Sequence, residues 1–486
     1  MKKVVLIYPR VLDNIEEKTF LPLSLLSIAA LLKNVEVKII DQRINKDWEK
    51  DLIGSLDKDV VCVGITSMTG PQLKQAIDIS ETVKKTISAP VIWGGVHASL
   101  LPEQTLANEF VDIVVIDEGD ITFPELVNCL IDKKELDSVN GIAYKKNGAV
   151  IFTAPREPLS MEALPEIPYH FIGDITPYIG VNDETIYKRT LPIQTSRGCP
   201  YRCAFCYNTT FNKKKWKAKD SRRVIKEINE LVEKYNINGV FLIDDNFFAD
   251  LKRVKEIFAK IKDMSIVLHN LTCRIDTFFR FDDELIGLMR EVGVQSIYLG
   301  VESGSPAVLK RLNKDINIEQ VLISSDKFRN TSIKPVYSFM IGFPFETEND
   351  IRKTFKLIYL LKKRNKSAVF GLNIFNPYPS NIMKECTGKG FISPEKTEGW
   401  ANDWRHIKLP WISQRQMDRF KKAAFSVDLL YDPSVFKSAG KRLLTSLLLN
   451  LSLFRIKHNF FSLYFEERSL RFFKDLKRTC SKQAKP

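Results

Sequence analysis

The chain has 486 residues, which excludes a single small domain and predicts two or three domains. Its hydrophobic content of 44% and its 31 phenylalanines supply enough apolar surface for a large core. The net charge of +14 is unevenly spread, because the last fifty residues, 437–486, hold 12 Lys or Arg against 3 Asp or Glu.

The first 130 or so residues alternate between short apolar runs and amphipathic segments. We predict strands at VVLIYP, VEVKIID, DVVCVGIT, APVIWGG and DIVVID, and helices at LPLSLLSIAALLK, QLKQAIDISETVKK and TFPELVNCLIDK. This pattern predicts a doubly wound, Rossmann-like parallel sheet covered on both faces. Ligands of such sheets bind at the carboxyl ends of the strands. The residues at those ends are Thr66, Ser67, Met68, Gly94, Gly95, His97, Glu118 and Gly119.

A stretch rich in Pro and Glu, from Thr153 to His170, has no periodicity and predicts a linker. A second alternating series follows, with predicted strands LPIQTS, GVFLIDD, VLHNLTCRI, QSIYLGVE, KPVYSFMIG and AVFGLNIF. Six β/α units predict a partial (β/α)6 barrel of the TIM type, with its chemistry at the carboxyl ends of the strands. The expected fold class is α/β. We expect an N-terminal domain over 1–135, a linker over 136–185, the barrel over 186–385 and a basic, mostly helical region over 386–486.

Three cysteines directly follow the first strand of the second series, in the run SRGCPYRCAFCYN. Cys199, Cys203 and Cys206 have the spacing C-x3-C-x2-C. Three thiolates this close can hold three irons of a four-iron four-sulfur cluster and leave the fourth iron open. Buried or disulfide-bonded thiols are the alternative, but Gly198 and Pro200 indicate a loop rather than a packed helix.

With this motif, and with Phe205 before its last cysteine, the chain resembles the radical S-adenosylmethionine superfamily. More narrowly, from about Lys2 to Asn381 it resembles the members with an amino-terminal cobalamin-binding domain. The resemblance implies a cluster that binds S-adenosylmethionine, a 5′-deoxyadenosyl radical, and hydrogen abstraction from an unreactive carbon. With cobalamin bound, the expected outcome is methyl transfer to a hydrophobic or natural-product substrate. The anaerobic magnesium-protoporphyrin ester cyclase resembles the chain in domain order, so oxidative ring formation is the close alternative.

The resemblance also implies a set of contacts to S-adenosylmethionine at the ends of the barrel strands. Phe205, Gly342 and Asn373 would lie along the adenine. Asp244 and Asp245 would lie near the methionine amine. Arg274 would lie at the methionine carboxylate, and Glu302 with Ser303 at the ribose. Structural alternatives are a helix N-cap for each aspartate, an ion pair with Asp276 for the arginine, and turn chemistry for the glycine.

The amino-terminal half of the resemblance is looser. The segments GITSMTGPQ, WGGVHAS and IDEGD follow the order found in the cobalamin domains of the family, which implies that the eight strand-end residues contact cobalamin. The D-x-H-x-x-G loop that supplies a cobalt ligand in other cobalamin proteins is absent. His97 is a candidate cobalt ligand or a structural histidine, and a Rossmann-like domain without cobalamin is the alternative for the whole region.

The basic carboxyl-terminal region contains an apolar run of about twelve residues, LLTSLLLNLSLF, which is shorter than the roughly 20 residues that span a bilayer. A basic, apolar and aromatic segment suits the surface of an anionic membrane. A helix packed on the main body is the alternative, and RNA binding is a weaker one. We expect a cytoplasmic protein, with a small-molecule substrate and a low-potential electron donor, that does not bind nucleic acid.

The alternative from another functional class is a zinc- or RNA-binding module, with the three cysteines and a histidine on zinc. It lacks a second cysteine pair at finger spacing. An electron-carrying ferredoxin would need a fourth cysteine near the first three.

Overall fold

The computed structural model describes residues 1–11, 19–180, 189–401, 408–430 and 439–461. The chain divides into two compact units. The first comprises Met1–Asn270, Glu291–Gly293 and Asn376–Lys408, and the second comprises Leu271–Arg290, Val294–Phe375 and Leu409–Pro486. The predicted boundary between linker and barrel, at residues 185 and 186, lies outside the described residues, as does the part of the basic tail after residue 461.

The first unit begins with a seven-stranded sheet in the order β2-β1-β3-β4-β5-β6-β7. Strands β1 to β5 are parallel, as predicted. Val4 to Ile7 of β1 are fully buried, because helices cover both faces of the sheet. The strands are β1 (Lys3–Tyr8), β2 (Glu36–Asp41), β3 (Val60–Thr66), β4 (Val91–Gly94), β5 (Ile113–Val115), β6 (Ile142–Lys146) and β7 (Ala149–Phe152). The helices are α1 (Leu23–Ala29), α2 (Trp48–Ser55), α3 (Gln72–Thr86), α4 (Val96–Leu100), α5 (Pro102–Ala107) and α6 (Gly119–Ile131).

The last two strands of this sheet form an antiparallel hairpin, which we did not predict. Asn147 and Gly148 form its two-residue turn, and both have positive φ (53° and 79°). The sheet therefore extends to Phe152, beyond the expected boundary at residue 135. The remaining domain boundaries stay a prediction. Of the stretch predicted as a linker, Thr153 to His170, residues 153–168 contain neither helix nor strand, and a 3₁₀ helix begins at Tyr169.

The second series of strands also lies in parallel sheets. In the first unit, β8 (Thr190–Ile193), β11 (Gly239–Leu242) and β12 (Val267–His269) form a sheet in the order β12-β11-β8. A two-stranded antiparallel ribbon, β9 (Ser196–Gly198) and β10 (Trp216–Ala218), follows β8. The helices of this part are α7 (Asn208–Phe211), α8 (Ser221–Tyr235), α9 (Leu251–Ile261) and α15 (Met383–Gly388).

The second unit contains a four-stranded parallel sheet in the order β13-β14-β15-β16. Its strands are β13 (Leu271–Arg274), β14 (Ser296–Glu302), β15 (Lys334–Ile341) and β16 (Val369–Ile374). Its helices are α10 (Ile275–Phe279), α11 (Asp283–Glu291), α12 (Pro306–Arg311), α13 (Ile318–Asp326), α14 (Glu348–Arg364), α16 (Gln414–Asp428) and α17 (Ala439–His458). Capping boxes at Asn317, Thr347 and Ser413 start three of these helices.

One predicted barrel strand, VLHNLTCRI, is divided into β12 and β13. Asn270 interrupts it with a positive φ of 59°, and its side-chain amide donates to the carbonyl of Leu242 at 2.7 Å. The described part of the carboxyl-terminal region contains α15, α16 and α17, in agreement with the predicted helical character. Among the described helices, none has both the length and the apolar content that crossing a membrane requires.

Candidate cluster and cofactor site

The three cysteines lie in the loop that connects β9 to β10. Gly198 ends β9 with a φ of +80°, and a Cβ atom there would collide with the carbonyl oxygen of Lys215. Only glycine therefore allows the two strands to close at this point. The ribbon holds both ends of the loop, so the cysteines directly follow β8 and the adjoining β9, at the position that the sequence predicted.

The three cysteines can serve as ligands of a metal centre. Among the described residues, Cys199, Cys203 and Cys206 are not joined in disulfide bonds, so the disulfide alternative is wrong. Burial, with a further contribution from the two neighbouring thiols, raises the pKa of Cys206 to about 12. A thiolate there needs adjacent positive charge, which iron supplies. No three metal-binding side chains among the described residues surround one ion. Zinc would bring three sulfurs to within about 4 Å of each other, whereas a cluster holds each thiolate on a different iron.

Asp244, at the end of β11, supports the chain leading into β9. Its carboxylate accepts from the Thr195 backbone at 2.7 Å and from the Thr195 and Ser196 hydroxyls at 2.5 and 2.6 Å. The side chain is 5% exposed. Burial raises its pKa, against the effect of these hydrogen bonds. It caps no helix, because Asp250 caps α9. Contact with the methionine amine stays a prediction.

Asp245 is exposed and contacts the cysteine loop from both sides. Its carboxylate accepts from the Gly198 backbone at 2.9 Å and from the Tyr207 hydroxyl at 3.0 Å. Asn246 donates its side-chain amide to the Cys199 sulfur at 3.6 Å. The first unit thus brings Asp244 and Asp245 to the candidate cluster loop, which also carries the half-buried Phe205.

In the second unit, the predicted contacts at β13 and β14 meet at a lysine that the sequence analysis missed. Arg274 donates to Asp276 at 2.9 Å, the ion pair named as its structural alternative, and also to the carbonyl of Lys314. The Lys314 ammonium donates to Glu302 at 2.8 Å. Glu302 and Lys314 are 6% and 4% exposed, so this is a buried ion pair. Glu302 adopts a φ of +69°, which is rare for a residue with a Cβ atom.

The remaining second-unit candidates differ in their surroundings. Ser303 is fully buried and shares a hydrogen bond of 3.2 Å with Thr354. Gly342, after β15, has a φ of +91°, and its carbonyl accepts from Trp411 at 3.0 Å. Asn373, near the end of β16, is exposed. The roles of these residues toward S-adenosylmethionine stay predictions.

A cavity of about 500 Å³ lies in the first unit, at the carboxyl ends of β1, β3, β4 and β5. Seven of the eight residues predicted to contact cobalamin line it. The same cavity is lined by residues beside the cysteine loop, Arg197 and Tyr207, and by Asp245. The seven predicted residues are Thr66, Ser67, Met68, Gly94, Gly95, Glu118 and Gly119.

The wall of the cavity between β3 and β4 is shaped by close backbone approach. Gly95 has a φ of +94°, and a Cβ there would lie 2.7 Å from the carbonyl oxygen of Ser67. The Ser67 hydroxyl donates to the Gly94 carbonyl at 2.9 Å and fixes the same turn. Met68 is 50% exposed, although it is a large apolar side chain. An apolar side chain and bare backbone at strand ends suit a bulky, flat ligand such as a corrin ring.

His97 is the predicted cobalamin contact that does not line the cavity. Its ring is fully buried, its Nδ1 atom lies 3.0 Å from the Thr69 hydroxyl, and its Nε2 atom has no hydrogen-bond partner among the described residues. Burial lowers its pKa to about 4, so the imidazole is neutral at pH 7. Cobalt ligation by His97 stays a prediction.

Arg197, two residues before Cys199, is the functional candidate that the sequence analysis missed. Its guanidinium donates to Glu118 at 2.9 Å, to Asp120 at 2.6 and 3.1 Å, and to Ser27 at 3.0 Å. Burial opposes its charge, but the two carboxylates raise its pKa. Lys217 donates to Glu118 at 2.7 Å. Glu118, Asp120 and Ser27 are each 77 or more residues away in sequence, so only its place in the cysteine motif could have marked Arg197.

Two family models match the chain. Residues 193–358 match the radical SAM superfamily, and residues 16–127 match the B12 binding domain. The radical SAM match contains all three cysteines and the strands from β9 to β15. It includes only the last residue of β8, Ile193, and β16 lies outside it. The B12 match contains every residue predicted to contact cobalamin.

Similar proteins carry several activities. An uncharacterized methyltransferase from Pyrococcus horikoshii is 29% identical over 79% of this chain and 82% of its own length. The cytidylyl-2-hydroxyethylphosphonate methyltransferase of Streptomyces wedmorensis is 26% identical, over 77% of this chain and 79% of its own. The anaerobic magnesium-protoporphyrin IX monomethyl ester cyclase of Rubrivivax gelatinosus is 26% identical, over 65% of this chain and 56% of its own.

Solved structures show the same fold. The radical S-adenosylmethionine methyltransferase TsrM from Kitasatospora setae, solved with cobalamin and a [4Fe-4S] cluster, matches with a TM-score of 0.64 at 16% identity, covering 86% of this chain and 83% of that one. The cobalamin-dependent radical enzyme OxsB, solved with aqua-cobalamin and S-adenosylmethionine, matches with a TM-score of 0.67 at 17% identity, covering 99% of this chain and 75% of that one. These likenesses confirm the predicted fold class, a doubly wound sheet followed by a partial barrel.

The two domains confirm the three predicted cofactors: a four-iron four-sulfur cluster, S-adenosylmethionine and cobalamin. The chain combines an amino-terminal B12-binding domain with a radical SAM domain, which is the domain order of the cobalamin-binding subclass of the radical SAM superfamily that the sequence resembles.

Proposed function

We propose that the protein transfers a methyl group to an unactivated carbon of a hydrophobic or natural-product small molecule. The observation that carries this proposal is the cavity of about 500 Å³. It is lined on one side by the strand ends of the B12-binding sheet and on the other by residues beside the cysteine loop. Transfer of a methyl group from cobalamin to a substrate carbon that has lost its hydrogen at the cluster site would require such proximity, because reacting groups must be held within a few ångströms of each other.

When bound, the cluster with S-adenosylmethionine supplies a radical that removes hydrogen from the substrate, and cobalamin supplies the methyl group. The residues of this chain position those groups and need supply no acid or base. Cys199, Cys203 and Cys206 would hold the cluster. Asp244 and Asp245 hold the cysteine loop in place through hydrogen bonds to β9, to the residue before it and to Tyr207.

The cavity residues provide the corresponding support for cobalamin. Gly95 leaves room at the β4 end for a flat ligand to approach the backbone. The Met68 side chain contributes an exposed apolar surface to the cavity. In the second unit, the Lys314–Glu302 pair and the Gly342 turn are the proposed supports for S-adenosylmethionine, through backbone conformation and buried charge.

The test is anaerobic reconstitution with cobalamin, a low-potential chemical reductant and S-adenosylmethionine that carries a deuterated methyl group, presented with candidate substrates. Formation of 5′-deoxyadenosine together with a product that is heavier by one labelled methyl group supports the proposal. A product that forms with 5′-deoxyadenosine but contains no label contradicts methyl transfer. That outcome favours the second candidate, oxidative ring formation, which is supported by the similarity to the magnesium-protoporphyrin ester cyclase.

We also propose an anionic membrane surface as a partner of α17. Leu443, Leu447 and Phe454 are spaced along one face of this helix and are 66%, 60% and 52% exposed. Ser452 and Ile456, on the other face, are buried. The region 437–486 carries a large excess of Lys and Arg. An apolar helix face beside positive charge is what binding to anionic lipid requires.

Vesicle flotation tests this partner. The full chain should float with vesicles containing phosphatidylserine and much less with pure phosphatidylcholine. The double variant Leu443→Gln/Leu447→Gln should lose most of this binding. Ile392→Gln, which alters an 84% exposed side chain elsewhere, is the matched control and should float as the parent does. Equal flotation of the double variant and the parent would refute the membrane proposal.

A further inference from the structure

We propose that Arg197 and Lys217 couple the binding of cobalamin to the binding of the iron–sulfur cluster, by acting as positioning residues on the carboxylates of Glu118 and Asp120. We call these four residues the ionic clasp. The inference rests on the proposed function, since it assumes that the cavity receives cobalamin and that the three cysteines receive the cluster.

The clasp connects the ribbon at the cysteine loop to one end of the B12-binding sheet. Arg197 on β9 and Lys217 on β10 are direct cross-strand partners, so both cations project from the same place on the ribbon. Both donate to the same oxygen of Glu118, at 2.9 and 2.7 Å. Arg197 also contacts both oxygens of Asp120, the bidentate arrangement that favours arginine over lysine.

The clasp is largely shielded from water. The side chains of Arg197 and Asp120 are 15% and 7% exposed, and that of Glu118 is 14% exposed. Ser27 lies between Arg197 and Asp120 and hydrogen-bonds to both. Charges held this tightly act as a unit, because removing one side chain leaves the opposite charge buried without a counter-charge. The two ends of the clasp therefore move together.

Each end of the clasp belongs to a binding element. Glu118 ends the loop between β5 and α6, Gly119 and Asp120 begin α6, and all three residues line the cavity. Arg197 also lines the cavity. It lies on β9, two residues before Cys199, and β9 pairs with β10. A ligand that orders the β5–α6 loop thus also orders the entry to the cysteine loop, and ordering the cysteines favours the cavity in return. Such coupling is reciprocal by thermodynamic linkage.

The experiment measures hydroxocobalamin affinity by absorbance titration, in cluster-free protein and in anaerobically reconstituted protein. For the parent chain, we expect the affinity to be at least about fivefold tighter with the cluster present, the lower end of typical coupling between sites. In Asp120→Asn the ratio of the affinities with and without the cluster should fall below about twofold. In Lys217→Met this ratio should lie between that of Asp120→Asn and that of the parent. These ratios test coupling directly, because a role in folding alone would change both affinities equally.

Asp112→Asn is the matched control. Asp112 pairs with Lys84 at 2.8 Å and lies before β5, at the opposite end of the same strand, so its loss should leave the fivefold ratio intact. If Asp120→Asn does not fold, as judged by circular dichroism, Lys217→Met carries the comparison. Arg197→Lys retains the positive charge but not the bidentate contact with Asp120, so it should keep only part of the parent's coupling.

A parent chain that binds hydroxocobalamin equally well with and without the cluster would overturn the clasp, as would an Asp120→Asn variant that keeps the full ratio. Either result would leave the proposed function standing. A parent chain that does not bind hydroxocobalamin in either state would instead contradict the proposed function together with the clasp.

Discussion

The carboxyl of Glu346 predicts a measurable dependence of stability on pH in the second unit. Its Oε2 atom accepts from the backbone of Gly342 at 2.6 Å and of Phe343 at 3.4 Å. Its Oε1 atom is buried without a hydrogen-bond partner among the described residues. Burial raises the pKa of this carboxyl to about 8, against the effect of the two backbone donors. The folded protein therefore retains a proton that the unfolded chain releases near pH 4.5.

The sign and size of the effect follow from linkage. Between pH 4.5 and 8 the folded state binds more protons than the unfolded state, so the free energy of unfolding falls as the pH rises. The slope approaches about 1.4 kcal/mol per pH unit, which gives a loss of about 2–3 kcal/mol between pH 6 and pH 8. Below pH 4.5 and above pH 8 the contribution is constant.

Glu346→Gln removes this titration while its amide oxygen can still accept from Gly342. The variant should gain stability relative to the parent as the pH rises from 6 to 8, by about 2–3 kcal/mol. Anaerobic urea unfolding, followed by tryptophan fluorescence, measures the difference, and Trp411 is a local reporter because it donates to the Gly342 carbonyl. Glu319→Gln, at an exposed glutamate of the same unit, is the control. A stability difference between Glu346→Gln and the parent that stays constant from pH 6 to pH 8 would refute the reasoning.

Three further substitutions test particular contacts. Lys314→Met leaves the buried Glu302 carboxylate unpaired and should lower the free energy of unfolding by about 3–5 kcal/mol, with partial recovery when Glu302→Gln is added; an unchanged urea midpoint would contradict the pairing. Gly198→Ala should abolish iron retention after reconstitution because of its φ of +80° and the Lys215 carbonyl, whereas Gly54→Ala, with open space around it, should retain the parent's iron content. Gly95→Ala should weaken hydroxocobalamin binding by about tenfold or more, an effect of about 1.4 kcal/mol. Gly70 has a φ of +121° but no neighbouring atoms within 4 Å, so Gly70→Ala tests backbone strain without loss of space. Equal hydroxocobalamin affinities for both variants and the parent would argue against a cobalamin site at β4.

The parallel sheets could be predicted because their central strands include short apolar runs buried on both faces. Val4 to Ile7 and Val60 to Thr66 show this pattern, and the strand-end residues follow from it. The hairpin at Asn147 and Gly148 also had a local signal, since Asn-Gly is the preferred pair for a two-residue turn, but Lys145 and Lys146 directly before the turn interrupt the apolar pattern.

Other features depend on contacts that no local pattern reveals. Asn270 breaks an apolar run through a left-handed conformation and a hydrogen bond to Leu242. The pairing of Arg197 with Asp120 spans 77 residues of sequence. The sequence spacing of the cysteines indicated their chemistry, because a cluster requires thiolates close together, whereas the partners of charged side chains depend on how distant segments pack.

The central claim is that three cysteines hold a cluster with one iron open to S-adenosylmethionine. The most direct test compares the parent chain with Cys203→Ala after anaerobic reconstitution, measuring iron content and the rate at which 5′-deoxyadenosine forms under a chemical reductant. We expect about four irons per parent chain, and in the variant both a depleted cluster and a rate near background. A Cys203→Ala protein that forms 5′-deoxyadenosine as fast as the parent would contradict the account.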